Sequence, residues 1–274
     1  MGIGGGIHPV AADIRDVDAM ARCLQDADAV IYLAGVSDGR AGKANPALTL
    51  DVNVRGFERF VDVVKDSPCR RFLFASTFGV YGYSYTTQLV ESMPPDPQEP
   101  YSLSKWKAEQ ILAEIKTDQL TITSLRLAMV FGYSPRMRNA FIVNHMIDQA
   151  LSTGQIDVMG GRQVRPQLYI RDVARYFTAL LEKPADKIAG RAFNACGLNL
   201  SLMEVAVCIR QVLGGNIQIN QLPAREGEHT FQLNQDLLAG TTGLVPQGTI
   251  AEAVLEIQRA QVADAADLVS AFDS

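Results

Sequence analysis

Residues 71–77, Arg71-Phe72-Leu73-Phe74-Ala75-Ser76-Thr77, form an apolar run that closes on two hydroxyls. A short run that is apolar on successive rather than alternate residues fits a strand buried on both faces. Upstream, residues 29–34 (Ala-Val-Ile-Tyr-Leu-Ala) end at Gly35 and read the same way. Between the two runs, Asn45-Pro46 supplies a helix cap and a first-turn proline. They open a long helix carrying Phe57, Phe60, Val61 and Val64. Val17, Met20, Ala21 and Leu24 lie at helical spacing before the first strand. Downstream, residues 102–116 read as a helix and Thr121 to Leu127 as another strand. Buried strands alternating with amphipathic helices predict an α/β fold with a parallel sheet covered on both faces.

Beyond residue 133 the strands shorten and the loops lengthen. A helix near 139–153 precedes Ile156-Asp157-Val158-Met159, and a further helix starts at Asp172. A strand at Arg191 to Ala195, a helix at 201–213 and Ile217-Gln218-Ile219 follow. The expected division is a cofactor and catalytic domain over 1–132, with 167–195 returning to it. Residues 133–166 and 196–274 then form a smaller C-terminal substrate lobe and the last helices.

The 274 residues suffice for one large α/β domain or two small ones. Lys and Arg number 25 against 30 Asp and Glu, a net charge of −5 with no long run of either sign, so no nucleic-acid partner is expected. No apolar stretch reaches the roughly 18 residues of a membrane span, and no signal peptide is seen at the N-terminus. Cys23, Cys69, Cys196 and Cys208 show no metal-type spacing, nor do His8, His145 and His229. No metal is expected, and four free thiols suit a reducing cytoplasm.

Tyr101 and Lys105 stand four positions apart at the start of a helical segment, which stacks them one turn apart on one face. An ammonium beside a phenol favours the phenolate, and a phenol so tuned can take a proton from an alcohol while hydride leaves the same carbon. A chance pair on a solvated helix is the alternative. Ser76-Thr77 closes a strand where ligands of open α/β sheets bind, so a hydroxyl there could meet the same oxygen; otherwise it is a strand-end turn.

The segment Phe74-Ala75-Ser76-Thr77-Phe78-Gly79-Val80-Tyr81-Gly82, then Pro100-Tyr101-Ser102-Leu103-Ser104-Lys105 with Glu109, resembles the extended short-chain dehydrogenases, in particular the NAD-dependent epimerase/dehydratase group. Asp13-Ile14-Arg15-Asp16, Leu33-Ala34-Gly35, Asn53 with Gly56, Leu125-Arg126 and Val130-Phe131-Gly132 resemble further family segments in the same order. So do Arg165 with Tyr169-Ile170-Arg171-Asp172-Val173, and Arg225-Glu226-Gly227. The resemblance implies a Rossmann-like, doubly wound sheet. Tyr101 would be the acid/base; Lys105 would lower its pKa and hold the nicotinamide ribose; Thr77 would orient the substrate hydroxyl. Asp13, Ile14, Leu33, Ala34, Gly35 and Asn53 would also line the cofactor, NAD slightly favoured over NADP. Arg165 and Arg225 would meet a substrate diphosphate, and the long helices at about 45–66 and 102–116 would pair two subunits in a homodimer.

Three departures from the family pattern matter. Only a dozen residues precede Asp13, and the string Gly2-Ile3-Gly4-Gly5-Gly6 has neither a strand before it nor a helix after it. Residues 8–12 look like the family's third strand, so two strands and the phosphate-binding turn are expected to be missing. A start site placed too far downstream, a fragment completed by another chain, and a natural truncation in which 9–12 pairs with 29–34 all remain open. Dinucleotide affinity is then expected to be about millimolar or absent. Secondly, Phe78-Gly79 occupies the place of the carboxylate pair of many sugar dehydratases, and neither residue can move a proton. Thirdly, Met129 stands where nucleotide-sugar enzymes often carry an asparagine. The sequence thus points to an NAD(P)-dependent epimerase or ketoreductase of a sugar or nucleotide-sugar. The alternative is a non-redox binding or regulatory protein on the same scaffold.

Overall fold

A computed structural model describes residues 6–37, 44–83, 88–117, 119–224 and 229–272, with side chains to residue 262. The main sheet holds β1 (Ala29–Tyr32), β2 (Arg71–Thr77), β4 (Thr121–Leu127) and β8 (Arg191–Ala195), all parallel and in the order β1-β2-β4-β8. Helix α1 (Val17–Leu24) precedes β1. Between β1 and β2 run α2 (Pro46–Leu50), a π-turn at Asp51–Gly56 and α3 (Phe57–Lys65). Asn45 caps α2 through its side chain, which accepts from the Leu48 N–H at 3.0 Å. Helix α4 (Pro100–Glu114) links β2 to β4.

Strand alternation sends successive side chains to opposite faces. Val30, Tyr32, Phe72, Phe74 and Ile122 meet Phe57, Phe60, Val61 and Val64 of α3 and Leu112 of α4. The Tyr32 and Phe57 rings sit edge to face at 4.8 Å, a favoured aromatic geometry. On the opposite face Leu73, Leu125 and Phe193 pack against Val173, Tyr176, Phe177 and Leu180 of α6 (Ile170–Glu182). Each such side chain contributes about 1.5–3 kcal/mol on burial. That layer stops short of β1, where Ile31 and Leu33 are exposed.

A separate core holds the C-terminal part. It joins α5 (Ile142–Thr153), α8 (Leu202–Leu213) and α10 (Ile250–Phe272) to β6 (Gln155–Met159), which pairs with β10 (Gln218–Leu222). Strand β7 (Val164–Tyr169) lies between β5 (Met129–Phe131) and β9 (Leu198–Ser201). Short strands β3 (Gln88–Leu89) and β11 (Gln232–Leu233) pair in parallel. Helices α7 (Ala185–Ile188) and α9 (Asp236–Thr242) complete the elements.

The structure corrects one expectation about the front of the chain. Residues 9–12 are exposed and irregular, and they do not pair with β1, which among the described residues has β2 as its one partner. Pro9 offers no N–H to a ladder. The chain turns immediately afterwards, with the Asp16 N–H bonded to the Asp13 carbonyl at 2.9 Å.

Candidate active site

Thr77 ends β2, and a 3-10 turn at Phe78–Tyr81 follows it. Its Oγ1 accepts the Gly79 N–H at 3.2 Å, leaving its own O–H available to donate. A Cβ at Gly79 would stand 2.5 Å from Ser102 Oγ on α4, so the two segments pass close together here. That close approach brings the start of α4 against the end of β2.

Proline at the first position of α4 prefixes the helical dihedral where no N–H is needed. Tyr101 and Lys105 follow on one face. Lys105 is buried, and its Nζ donates to the Ala75 carbonyl at 2.7 Å, two residues before Thr77. The ammonium stands 4.7 Å from the Phe74 ring centre and 5.9 Å from that of Tyr101. Burial pulls the Lys105 pKa down to about 8, opposed by the negative charge of Glu109. The Tyr101 phenol is pushed up to about 12 by burial, opposed by the charge of Arg138. The expected lowering of Tyr101 by Lys105 is therefore not what this geometry gives: the ammonium is bonded to a backbone carbonyl, and desolvation of the phenolate dominates.

Arg138 is a residue that sequence reasoning missed. It donates to the Ser37 carbonyl at 3.2 Å and to Ser37 Oγ at 2.7 Å, tying the loop before α5 to the turn after β1. No spacing rule marks it, since it lies in an irregular stretch and meets Ser37 only through the fold.

At that turn Gly35 has φ +142°, and a Cβ would fall 2.8 Å from Asn53 Oδ1. Asn53 Oδ1 accepts the Val36 N–H at 2.7 Å, while its Nδ2 donates to the Val36 carbonyl at 2.9 Å and to Ser104 Oγ at 3.0 Å. Ser104 Oγ in turn donates to the Tyr101 carbonyl at 2.7 Å. Asn53 thus fastens the turn to α4. Ala34 is partly buried in the core beneath.

The outlying candidates differ in placement. The exposed Asp13 carboxylate is held by Arg15, whose N–H, Nε and Nη2 reach it at 2.9, 3.0 and 2.7 Å. These bonds hold its pKa at about 2. Arg15 also reaches Asp51 at 3.0 Å, and Ile14 packs on the core. Arg165 on β7 donates to the Val164 carbonyl at 3.0 Å and to the His229 carbonyl, with its Cζ 5.5 Å from the Phe231 ring centre. Phe231 lies 6.2 Å from Phe78, so one aromatic contact separates Arg165 from the neighbour of Thr77. Arg225 lies outside the described residues. Asp172 is buried and accepts the Gln247 N–H at 3.0 Å and the Gly248 N–H at 2.8 Å, an anchor for that loop. Met129 Sδ takes a weak contact from Gln167 Nε2 at 3.9 Å.

Thr77, Tyr101 and Lys105 therefore converge at the carboxyl ends of the parallel strands, beside the Leu33-Ala34-Gly35 turn. The missing Cβ of Gly35 makes room for Asn53, which in turn holds this turn against α4. Among the described residues no group of three His, Cys, Asp or Glu is placed to hold a metal, and no helix is long and apolar enough to cross a membrane.

Residues 3–196 match the model of the NAD dependent epimerase/dehydratase family. The low-salt glycan biosynthesis protein Agl12 of Haloferax volcanii is 29% identical over 218 residues, covering 76% of this chain and 68% of that protein. Among the curated relatives the match spans from 51% to 79% of their own length. A UDP-glucose-4-epimerase from Stenotrophomonas maltophila, solved with NAD and formylated UDP-arabinopyranose, superposes with TM-score 0.85 at 21% identity, covering 94% of this chain and 83% of that one. RMD from Pseudomonas aeruginosa, complexed with NADPH, superposes with TM-score 0.80 at 23% identity over 91% and 86% of the two chains. These superpositions identify the Rossmann-like fold.

Proposed function

The chain belongs to the NAD dependent epimerase/dehydratase family, and from that premise we propose that it is an NAD(P)-dependent epimerase or ketoreductase of a sugar or nucleotide-sugar. The observation that supports this most is the Tyr101–Lys105 pair on one face of α4, with Lys105 Nζ 2.7 Å from the carbonyl of Ala75. A bound nicotinamide would supply the hydride acceptor and donor. Tyr101, with a pKa of about 12, is protonated at neutral pH and set to give its proton to a carbonyl oxygen. When Tyr101 takes the proton back, the positive charge of Arg138 favours the phenolate against burial. Thr77 donates its hydroxyl to the same oxygen.

Phe78 packs against Phe231 and Gly79 against Ser102, so the two positions after Thr77 carry no second acid or base. This favours epimerisation or reduction over elimination. Arg165, beside Phe231, is assigned to the substrate diphosphate, with residues 133–166 and 196–274 as the substrate lobe. Names among the relatives, such as the probable UDP-glucuronate 4-epimerase of Rhizobium meliloti, support a nucleotide-sugar. NAD is favoured over NADP, and a homodimer through the helical stretches at about 45–66 and 102–116.

The test is incubation of the purified chain with NAD or NADP and a panel of UDP- and dTDP-sugars, with products read by NMR. An epimer or a reduced sugar is the expected result. A 4-keto-6-deoxy product would overturn the reading of Phe78 and Gly79. No turnover of any sugar with either cofactor, together with no calorimetric binding even at millimolar cofactor, would favour a non-redox binding protein.

A further inference from the structure

One register position is polar across three neighbouring strands: Ser76 of β2 faces Arg126 of β4, which faces Asn194 of β8. The position lies one residue beneath Thr77, on the face that α4 covers. All three side chains are buried, as are Glu109 and Tyr81, which close over them. Ser76 Oγ donates to Glu109 Oε1. Arg126 grips Glu109 through Nε at 3.1 and 3.2 Å and through Nη2 at 2.7 Å. Its Nη1 donates to the Tyr81 hydroxyl at 2.9 Å, and that hydroxyl donates to Asn194 Oδ1 at 2.7 Å. The Asn194 N–H reaches Glu91 Oε1 at 2.8 Å.

A buried ion pair adds little net stability over apolar packing of the same volume, yet removing one partner is costly. What it does provide here is geometry. Glu109 is one turn beyond Lys105 on α4, and Ser76 is the residue before Thr77. Tyr81 closes the 3-10 turn that starts after Thr77. Sliding or rolling α4 against β2 would break the Ser76 and Arg126 bonds to Glu109 together.

We propose that Glu109, held by Ser76 and by the Arg126–Tyr81–Asn194 row, is a positioning residue that fixes the height of α4 and so the distance of Tyr101 and Lys105 from Thr77. Its catalytic consequence rests on the sugar-oxidoreductase reading; its structural consequence does not. A misplacement of reacting groups by about 1 Å can cost on the order of a hundredfold in rate.

Ser76→Ala and Tyr81→Phe each delete one hydroxyl and leave the Glu109–Arg126 pair intact, so both variants are expected to fold. Native-state hydrogen exchange is measured at the amides of Leu103, Ser104 and Lys105, with α8 as the internal control. Exchange is expected to quicken about tenfold or more at those three amides and not in α8. On a sugar that the wild type turns over, kcat is expected to fall about tenfold or more, with KM held within roughly twofold. Unchanged exchange in both variants, or an equal rise in α8, overturns the proposal. So does an unchanged kcat where the wild type is active. A wild type that turns over no sugar nucleotide refutes the enzymatic reading alone, and the exchange measurement still decides whether Glu109 is positioned in this way.

Discussion

Lys105 carries a charge where burial opposes one, and the sign of that conflict can be measured. Its folded pKa is about 8, below the ordinary 10.5, so between those values the unfolded chain binds the proton more tightly. Stability therefore rises as pH climbs from about 8 towards 10.5, and the burial cost is present in full below pH 8. Lys105→Met removes the cost and forfeits the bond to Ala75. At pH 7 the variant is expected to be more stable by roughly 2 kcal/mol, a lead that shrinks above pH 8. Thermal unfolding across that pH range is the check, and an equal or lower Tm at pH 7 would refute it. The same variant should lose turnover. Tyr101→Phe removes a proton without changing the ring's packing, so the fold should persist while kcat drops by about 10²–10⁴-fold. Near wild-type turnover would take Tyr101 out of its role.

At the scale of elements, the π-turn at Asp51–Gly56 sets Asn53 between the Val36 backbone and Ser104. Asn53→Ala would leave those groups without this partner, at about 1–3 kcal/mol. Urea unfolding should show the loss, and a midpoint like the wild type's would show that water replaces the amide without cost. This turn was not legible in the sequence. Phe57, Phe60, Val61 and Val64 fall at α-helical spacing whether or not an extra residue is accommodated before them. Strand β2 was legible because Phe72-Leu73-Phe74-Ala75 is an apolar run; β4 and β8 mix polar residues such as Arg126 and Asn194 with apolar ones, and their place in the alternation of strands and helices made them legible. Residues 9–12 misled: they are apolar enough for a strand, but they find no partner edge. Spacing put Tyr101 and Lys105 on one helix face, but the family resemblance was needed to group them with Thr77. The direction of the Tyr101 shift could not be read from the sequence, because desolvation depends on what packs around the phenol. Nor could Arg138, whose link to Ser37 joins distant segments.

At the scale of the whole molecule, Leu168, Phe231 and Leu233 share one core with Leu73 of β2 and Leu125 of β4, and Arg165 on β7 lies against Phe231. If it grips a diphosphate equally before and during reaction, Arg165→Ala should raise KM more than it lowers kcat. Steady-state kinetics with the accepted sugar nucleotide are the measure, and an unchanged KM would make Arg165 a purely structural tie between β7 and the His229 carbonyl. The sheet itself joins strands from distant parts of the chain, and most of their residues would tolerate a misaligned pairing, since one apolar side chain substitutes readily for another. Ser76, Arg126 and Asn194 would not. If β4 slipped by two residues, every side chain would keep its face, but Arg126 would lie beside Phe74 or beyond the end of β2, out of reach of Glu109. A guanidinium abandoned among hydrocarbon makes that mispairing short-lived. The polar row therefore favours one strand alignment over its neighbours, because only in that register does the cover of α4 leave Arg126 paired with Glu109.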